Sequence, residues 1–235
     1  MDLSQNIITE GLRNCTFPVP NQEDGQGYLS SENTSSQHGI VLIQEWWGMN
    51  KSITLTSDKF AKHGFRVLCP DMYRGKIGKN HEEAGHLMGN LDWNGALQVV
   101  KSAGDFLRNS GCKKVFLTGF CMGGAITIAS IANFGEAFDG AAPFYGIPDL
   151  SKFDIGNAKC AILAHFGDLD KAKGFSDPEA AKNLEQIALD KGCKFKLRMW
   201  ENVDHAFMNQ DSQRYNADAA EKALTETVEF FKTLA

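Results

Sequence analysis

The chain has 235 residues, of which 43% are hydrophobic and 23% are charged, as in an ordinary globular protein. A formal net charge of -5 argues against a nucleic-acid partner, and no apolar run approaches the roughly 18 residues that cross a bilayer. The first residues carry neither the basic nor the long apolar segment of a secretory signal. We therefore expect a cytoplasmic protein with no membrane or nucleic-acid partner.

Short apolar runs alternate with helical patterns along most of the chain. Residues 1–38 are polar, and we expect an irregular lead-in or a hairpin at the sheet edge. The alternation that follows predicts an α/β fold with a mainly parallel central sheet and helices on both faces. Because no repeat or linker interrupts it, we expect a single domain over residues 1–235. The predicted strands are 40–43, 65–69, 115–117, 140–145, 161–166 and 195–200. The predicted helices are 57–63, 92–109, 125–132, 179–191 and 217–234.

The turn after the third predicted strand is Gly-Phe-Cys-Met-Gly-Gly, with Cys121 at its centre. In open α/β sheets, ligands bind where the strands end. A nucleophile on a sharp strand-to-helix turn needs small residues two positions before and after it, and Gly119 and Gly123 supply them. The N–H groups of the following helix favour a thiolate and a developing oxyanion. The pattern predicts a nucleophilic Cys121; the alternative is a tight glycine turn with an inert cysteine.

Candidates for an acid and a base follow the last two predicted strands. An α/β-hydrolase triad runs in the order nucleophile, acid, histidine. Asp168 or Asp170 could supply the acid, and we favour Asp170 because it lies beyond the turn. His205 lies in the loop after the sixth predicted strand, where the base of such a triad belongs. His165 falls inside an apolar strand, so we expect a core histidine with satisfied hydrogen bonds.

Metal and cofactor sites find no support in the sequence. The six cysteines are widely spaced and form no C-x-x-C pair. His81 and His86 are five residues apart, a spacing that does not stack them on one helical face. The glycine-rich turn lacks the Lys-Ser/Thr of a phosphate loop. We expect no metal and no cofactor, and we expect Cys69, Cys160 and Cys193 to act as small hydrophobes.

Five short motifs resemble the dienelactone hydrolase family, whose members are carboxymethylenebutenolidase-like α/β-hydrolases. The resemblance covers about residue 39 to the C-terminus. The five motifs together are far more specific than the cysteine turn alone. They are residues 44–48 (Gln-Glu-Trp-Trp-Gly), 69–73 (Cys-Pro-Asp-Met-Tyr), 119–124, 144–146 (Phe-Tyr-Gly) and 204–207 (Asp-His-Ala-Phe).

The resemblance implies an α/β-hydrolase fold and a role for each catalytic residue. Cys121 resembles the family nucleophile, Asp170 its acid and His205 its base. Glu45 is similar to a glutamate that pairs with the resting thiol and helps to activate it when substrate binds. The residues themselves agree that Glu45 is unusual, because it ends an apolar strand beside two tryptophans, where carboxylates rarely lack a partner. The alternative is a strand-end carboxylate that faces water.

The resemblance also implies a substrate pocket, and here the chain departs from the family. The backbone N–H groups of Trp46 and Met122 are implied to form the oxyanion hole. Family members that act on dienelactone hold its carboxylate with two arginines, whose places are taken by His81 and Asn209. Neither side chain offers the charge and fork of arginine, so we expect a natural substrate other than dienelactone; the alternative is that Arg74 supplies the cation. The residues predicted to contact substrate are Tyr145, His81, Asn209 and Trp47.

Three functions fit these residues. The first is a cysteine-dependent esterase or lactonase, a monomer or homodimer, whose partner is a small-molecule ester or lactone. The second is a thioesterase or general carboxylesterase with the same machinery. The third is a non-catalytic redox sensor or binding module, since a thiol at a helix N-terminus near a base reacts with oxidants and electrophiles. The complete Glu, Cys, Asp and His set favours an enzyme, because a sensor needs no acid partner for its histidine.

Overall fold

Strands and helices alternate along the chain as predicted, although several elements begin earlier than the sequence indicated. The computed structural model describes residues 12–30 and 35–235, so residues 1–11 and 31–34 of the predicted lead-in lie outside the described residues. The described strands are β1 (Cys15–Phe17), β2 (Gly25–Leu29), β3 (His38–Ile43), β4 (Arg66–Pro70), β5 (Lys114–Phe120), β6 (Gly140–Phe144), β7 (Ala161–Gly167) and β8 (Phe195–Trp200). The described helices are α1 (Lys51–Lys62), α2 (His81–Gly89), α3 (Trp93–Asn109), α4 (Met122–Asn133), α5 (Pro178–Asp190) and α6 (Ala217–Thr233). None of these helices is long and apolar enough to cross a membrane.

The chain divides into two compact units, Met1–Val115 and Phe116–Ala235. In the first unit, β1 and β2 form an antiparallel hairpin, so the described lead-in adopts the predicted hairpin alternative. Strand β2 continues antiparallel onto β4, which pairs in parallel with β3. Helices α1 and α3 pack against these strands. The single domain over residues 1–235 stays a prediction.

The second unit contains the strands whose ends carry most of the predicted site. Strands β5, β6, β7 and β8 lie side by side and all run parallel. Helix α4 packs against β6, α5 against β8, and α6 against β7. Parallel strands end at the same edge of a sheet. The loops that carry Cys121, Asp170 and His205 therefore leave this ladder at one edge.

The helix predicted over residues 57–63 begins at Lys51, so its predicted start was wrong. Asn50 caps the helix by accepting a hydrogen bond from the N–H of Ile53. The early turns hold polar and β-branched residues that weaken the apolar pattern. They fit because their hydroxyls donate to carbonyls three or four residues earlier. These donors are Thr54, Thr56 and Ser57.

Helix α2 was not predicted from the sequence. Gly85 and Gly89 lower the helix propensity of this short segment. Its start is nevertheless well defined, because the Asn80 side chain accepts a hydrogen bond from the N–H of Glu83. The Glu83 carboxylate in turn accepts the N–H of Lys79. This reciprocal arrangement is a variant of the capping box, and the Asn-x-x-Glu spacing was its signal in the sequence.

One outward amide of β8 is covered by a side chain from α5. Among the described residues, β8 is the last strand of its sheet. The N–H of Leu197 donates to a carboxylate oxygen of Glu185 at 2.8 Å. On the same strand, Arg198 pairs with Glu226 of α6 at 3.1 Å. Side-chain cover of this kind satisfies edge groups that would otherwise be open to another strand.

His165 lies in β7 as a fully buried histidine with both ring nitrogens hydrogen-bonded, as predicted. The indole N–H of Trp200 donates to Nδ1 at 3.2 Å, which places the ring proton on Nε2. Nε2 then donates to the hydroxyl of Thr227 at 3.1 Å, and that hydroxyl donates to the carbonyl of Ala223. Phe144 stacks on the imidazole with ring centroids 4.4 Å apart. This chain of donors is complete only while His165 is neutral.

Acid should destabilise the fold through His165. Burial, with smaller contributions from the charges of Arg198 and Lys196, lowers the pKa of His165 to about 3, well below its value near 6.5 in an unfolded chain. Between these two values the unfolded chain binds the extra proton, so stability is lost as the pH falls below 6.5. We expect the stability advantage of the wild type over His165→Gln to shrink by about 1.4 kcal/mol per pH unit between pH 6 and pH 4.

Urea unfolding at several pH values measures this difference. His63→Gln, at an exposed helix end, is the matched control for the loss of an imidazole. An equal slope in the wild type and His165→Gln would contradict the prediction.

Candidate active site

Cys121 occupies a sharp turn between β5 and α4. Its backbone angles are φ 54° and ψ -117°, a strained conformation for a residue with a side chain. The N–H of Cys121 donates to the carbonyl of Phe144 at 3.1 Å, and its own carbonyl accepts the N–H of Ala125 at 3.1 Å. The residue is 8% exposed. The strain and the two backbone hydrogen bonds fix the position of the thiol, which is the geometry expected of a nucleophile turn.

Two glycines let the nucleophile turn approach the end of β6. A Cβ atom on Gly146 would overlap the carbonyl oxygen of Cys121. A Cβ atom on Gly124 would overlap the carbonyl oxygen of Phe144. The backbones can therefore meet only because both positions lack a side chain. Both glycines were named within family motifs in the sequence, but it was not predicted that they allow this close approach.

The start of α4 lies directly beneath the thiol. Helix α4 begins at Met122, immediately after Cys121. The N-terminal end of a helix carries a partial positive charge that favours a thiolate or an oxyanion beside it. The backbone N–H of Met122 belongs to this first turn, which is consistent with its predicted role as an oxyanion donor.

The two candidate aspartates have different surroundings. Asp170 is 4% exposed, and its Oδ2 lies 2.7 Å from Nδ1 of His205. Its Oδ1 accepts the N–H of Ala172 at 2.9 Å. Asp168 is exposed, and its carboxylate accepts the N–H of Val203 at 3.3 Å. The carboxylate that meets the histidine is therefore that of Asp170, the aspartate favoured from the sequence.

The loops that carry Asp170 and His205 are held against each other by their backbones. The N–H of Leu169 donates to the carbonyl of Val203 at 2.9 Å. A Cβ atom on Gly167 would overlap that same carbonyl oxygen. Gly167, the last residue of β7, therefore allows the close approach that brings the carboxylate to the imidazole.

His205 contacts two aromatic rings, and hydrogen bonds to charged groups set the protonation state of its imidazole. The Tyr145 ring lies edge-on to the imidazole at 5.0 Å, and the Phe175 ring lies 6.2 Å away. Burial disfavours the charged imidazole, but hydrogen bonds to Asp170 and Cys121, with their charges, raise the pKa of His205 to about 10. Because Asp170 holds Nδ1, Nε2 remains for the sulfur of Cys121. With a pKa of about 10, the imidazole is protonated at neutral pH.

Ser176 is a polar contact of His205 that sequence reasoning missed. Its hydroxyl oxygen lies 3.1 Å from Nδ1 of the imidazole, and the residue is fully buried. Ser176 also hydrogen-bonds Asp170. Burial raises the pKa of the Asp170 carboxyl, but the hydrogen bond and charge of His205 outweigh it, so the pKa is lowered. The hydrogen bond from Ser176 makes a smaller contribution in the same direction. A serine in a loop between a strand and a helix gives no pattern that would single it out.

The other predicted residues of the second unit lie close to the histidine loop. Tyr145 follows β6 with a positive φ of 35° and is fully buried. Its N–H donates to the carbonyl of His165 at 2.8 Å. The side-chain oxygen of Asn209 accepts the N–H of Asp211 at 2.9 Å. The roles of Tyr145 and Asn209 in substrate binding stay predictions.

Three of the predicted residues of the first unit, Trp46, Trp47 and His81, pack together, and Glu45 precedes the two tryptophans along the chain. Glu45 is 6% exposed. The rings of Trp46 and Trp47 meet edge-on at 5.1 Å, and His81 lies edge-on to them at 5.7 and 5.1 Å. His81 therefore packs as an aromatic ring against indoles. The roles of Glu45, Trp46, Trp47 and His81 toward a substrate stay predictions.

No group of three or more His, Cys, Asp or Glu side chains in residues 12–30 and 35–235 is placed to hold a metal ion.

The buried thiols outside the site have raised pKa values. Burial raises the pKa of Cys160 to about 12 and raises that of Cys193. A neutral buried thiol is a poor nucleophile, so these two cysteines provide inert controls for Cys121.

Comparison with known proteins identifies one family. The model of the dienelactone hydrolase family matches residues 26–235. "Protein usf" of Aquifex pyrophilus is 32% identical over 217 residues, which cover 88% of this chain and 92% of that protein. The carboxymethylenebutenolidase of Pseudomonas putida is 24% identical over 209 residues, which cover 83% and 85% of the two chains.

A solved structure gives the same fold. A dienelactone-hydrolase-like promiscuous phosphotriesterase from metagenomic libraries superposes with a TM-score of 0.78 at 19% identity. The match covers 94% of this chain and 97% of that chain. The fold class predicted from the sequence, a mainly parallel α/β-hydrolase, is confirmed.

Substitution of Gly146 should disturb the nucleophile turn. In Gly146→Ala the new methyl group collides with a backbone carbonyl that cannot move aside, so we expect a loss of about 3 kcal/mol in the free energy of unfolding. Gly85→Ala in α2, where a Cβ meets no atom within 4 Å, is the control and should be neutral or stabilising by up to about 1 kcal/mol. Urea unfolding compares the two variants; equal stabilities would contradict the packing described.

The two aspartates should differ in their effect on His205. Asp170→Asn removes the charge against the imidazole, so we expect the pKa of His205 to fall from about 10 toward its ordinary value. Asp168→Asn changes an exposed carboxylate on the same loop and should leave the titration unchanged. Proton NMR titration of the imidazole measures both. A shift in Asp168→Asn alone would exclude the described pairing.

Proposed function

Because this chain belongs to the dienelactone hydrolase family and is an ester hydrolase, we propose that it cleaves a carboxylic ester or lactone through a thioester on Cys121. The observation that carries the proposal is the chain of hydrogen bonds in the second unit that runs from Asp170 through His205 to Cys121. Oδ2 of Asp170 lies 2.7 Å from Nδ1 of His205, and the other side of His205 meets the thiol of Cys121. A sulfur, an imidazole and a carboxylate in this order are the parts that nucleophilic catalysis requires.

Before acylation, the proton of the Cys121 thiol has passed to Nε2 of His205, because the pKa of the imidazole lies above neutral pH. The thiolate attacks the carbonyl carbon, a C–S bond forms, and the carbonyl π pair moves onto oxygen. N–H groups at the start of α4, with that of Met122 first, would stabilise this oxyanion. When the oxyanion collapses, the C–O bond to the leaving group breaks. The imidazolium then protonates the departing oxygen.

Deacylation reverses the roles of the same groups. His205 accepts a proton from water as the water oxygen attacks the thioester carbon. The C–S bond then breaks, and the carboxylic acid product leaves. Asp170 stays ionised throughout and holds the ring in the tautomer with its proton on Nδ1. Glu45 as activator of the thiol and the N–H of Trp46 as an oxyanion donor stay predictions from the family resemblance.

The substrate we propose is neutral near its scissile bond, unlike dienelactone. Asn209 already accepts a backbone N–H with its amide oxygen, and it carries no charge. His81 packs edge-on against two indole rings. Neither residue offers the bidentate cation that grips a carboxylate. A monomer or homodimer and a cytoplasmic location stay predictions.

Turnover of aryl esters tests the proposal. We expect the wild type to hydrolyse p-nitrophenyl acetate, and we expect Cys121→Ala and His205→Ala to lose about 100-fold or more in kcat/KM. Trapping of an acyl group on Cys121, detected by mass spectrometry after rapid acid quench, would identify the thioester. Cys160→Ala, which removes a buried thiol outside the site, is the matched control and should keep wild-type rates.

A panel of lactones, aryl esters, acyl thioesters and dienelactone then ranks the substrates. Preference for thioesters would favour a thioesterase with the same machinery. Stoichiometric modification of Cys121 without turnover of any substrate would contradict the proposed hydrolysis and favour a thiol sensor. Full activity in Cys121→Ala would exclude the cysteine mechanism.

A further inference from the structure

Several hydrogen bonds within the loop that carries the acid fix its backbone. We call residues 170–177, between β7 and α5, the acid loop. The carbonyl of Ala172 accepts N–H groups from Phe175, Ser176 and Asp177 at 3.1, 3.0 and 3.2 Å. The Asp177 carboxylate also accepts the N–H of Gly174 at 2.6 Å. Ser176 therefore has little freedom to move.

The acid loop is also tied to the chain beyond β6. The carbonyl of Phe175 accepts the N–H of Ile147 at 2.9 Å. Ile147 follows Gly146, the residue packed on the nucleophile turn. The hydroxyl of Ser176 thus belongs to a backbone that is fixed at both ends, which is the condition for a side chain that holds another in place.

The positions of the protons on Asp170 and His205 determine the direction of the Ser176 hydrogen bond. The Asp170 carboxylate can only accept, and at 2.7 Å it requires the proton of the imidazole on Nδ1. With that proton in place, Nδ1 cannot accept from the Ser176 hydroxyl, although the two atoms lie 3.1 Å apart. The hydroxyl must donate to Asp170 instead, and its lone pair faces the Nδ1–H group.

We propose that Ser176 is a positioning residue, which donates its hydroxyl proton to Asp170 and presents its lone pair to Nδ1–H of His205. This inference rests on the proposed function, since it adds a fourth member to the same site. Three donors then surround the Asp170 carboxylate: the N–H of Ala172, the Nδ1–H of His205 and the hydroxyl of Ser176. A carboxylate satisfied in this way keeps its charge and its orientation beneath the imidazole.

Loss of the hydroxyl has a defined consequence for the pH profile. Its hydrogen bond is one of several that lower the pKa of Asp170 against the effect of burial. Without it the pKa of Asp170 rises, so the carboxylate takes up a proton at higher pH. The acid limb of kcat/KM, where protonation of Asp170 disables the histidine, therefore moves to higher pH.

Two substitutions at position 176 and one elsewhere test this. Ser176→Ala removes the hydroxyl with little change in volume, and Ser176→Thr retains it. Ser151→Ala is the matched control, because Ser151 donates its hydroxyl to the exposed Asp149 carboxylate at 2.6 Å. Circular dichroism melting checks each fold. If Ser176→Ala does not fold, Ser176→Gly removes the same hydroxyl and takes its place in the comparison.

Two readouts separate this proposal from the proposed function. The first is kcat, KM and the pH profile for p-nitrophenyl acetate. The second is the rate of alkylation of Cys121 by iodoacetamide between pH 2.5 and pH 8, which covers the titration of an aspartate with a lowered pKa and needs no turnover. For Ser176→Ala we expect kcat to fall about 10-fold with KM changed less than about 2-fold. We expect the acid limbs of both profiles to move up by about half a pH unit or more, and Ser176→Thr to restore them.

Each outcome decides the proposal. Unchanged kcat and acid limbs in Ser176→Ala would overturn it. Equal losses in Ser176→Ala and Ser176→Thr, or a similar loss in Ser151→Ala, would indicate a merely structural effect and would also overturn it. A wild type without turnover whose alkylation profile still moves in Ser176→Ala would refute the proposed hydrolysis while supporting the positioning role.

Discussion

The hydrogen bond between Asp170 and His205 is the contact on which the candidate site depends. It joins two loops that follow neighbouring parallel strands, and at 2.7 Å it tolerates little displacement of either. The absence of a side chain at Gly167 allows the loops to approach. The proton that this bond holds on Nδ1 decides which nitrogen faces Cys121. The ionisation of His205, the orientation of the carboxylate and the place of Ser176 all follow from it.

Residues whose position is dictated by strand ends could be predicted from the sequence. Cys121 lies in a turn with a local glycine signature, and a strained backbone accepts few other sequences. His205 was located by its place after the last predicted strand. The sequence distinguishes Asp168 from Asp170 less clearly, because both aspartates follow the same strand. Only the course of the backbone beyond Gly167 shows that Asp168 is exposed while Asp170 turns inward.

Features that depend on hydrogen bonds of polar side chains escaped prediction. The start of α1 and the whole of α2 were missed because hydroxyl back-bonding and a capping Asn stabilise segments without an apolar stripe. Ser176 was missed for a related reason. Its importance comes from a contact with His205, a residue distant along the chain, and no local spacing records such a contact. Apolar periodicity indicates where elements lie, but it does not indicate which polar atoms meet between them.

The carboxylate of Glu185 on the outer side of β8 has a consequence for how molecules of this protein meet. By accepting the amide of Leu197, it occupies a donor that a strand from a second molecule would need for a continuous ladder. Self-association through strand addition at this margin would first have to break a charge-assisted hydrogen bond. The Glu185 side chain of α5 thus removes one of the hydrogen bonds that edge-to-edge pairing at β8 would use.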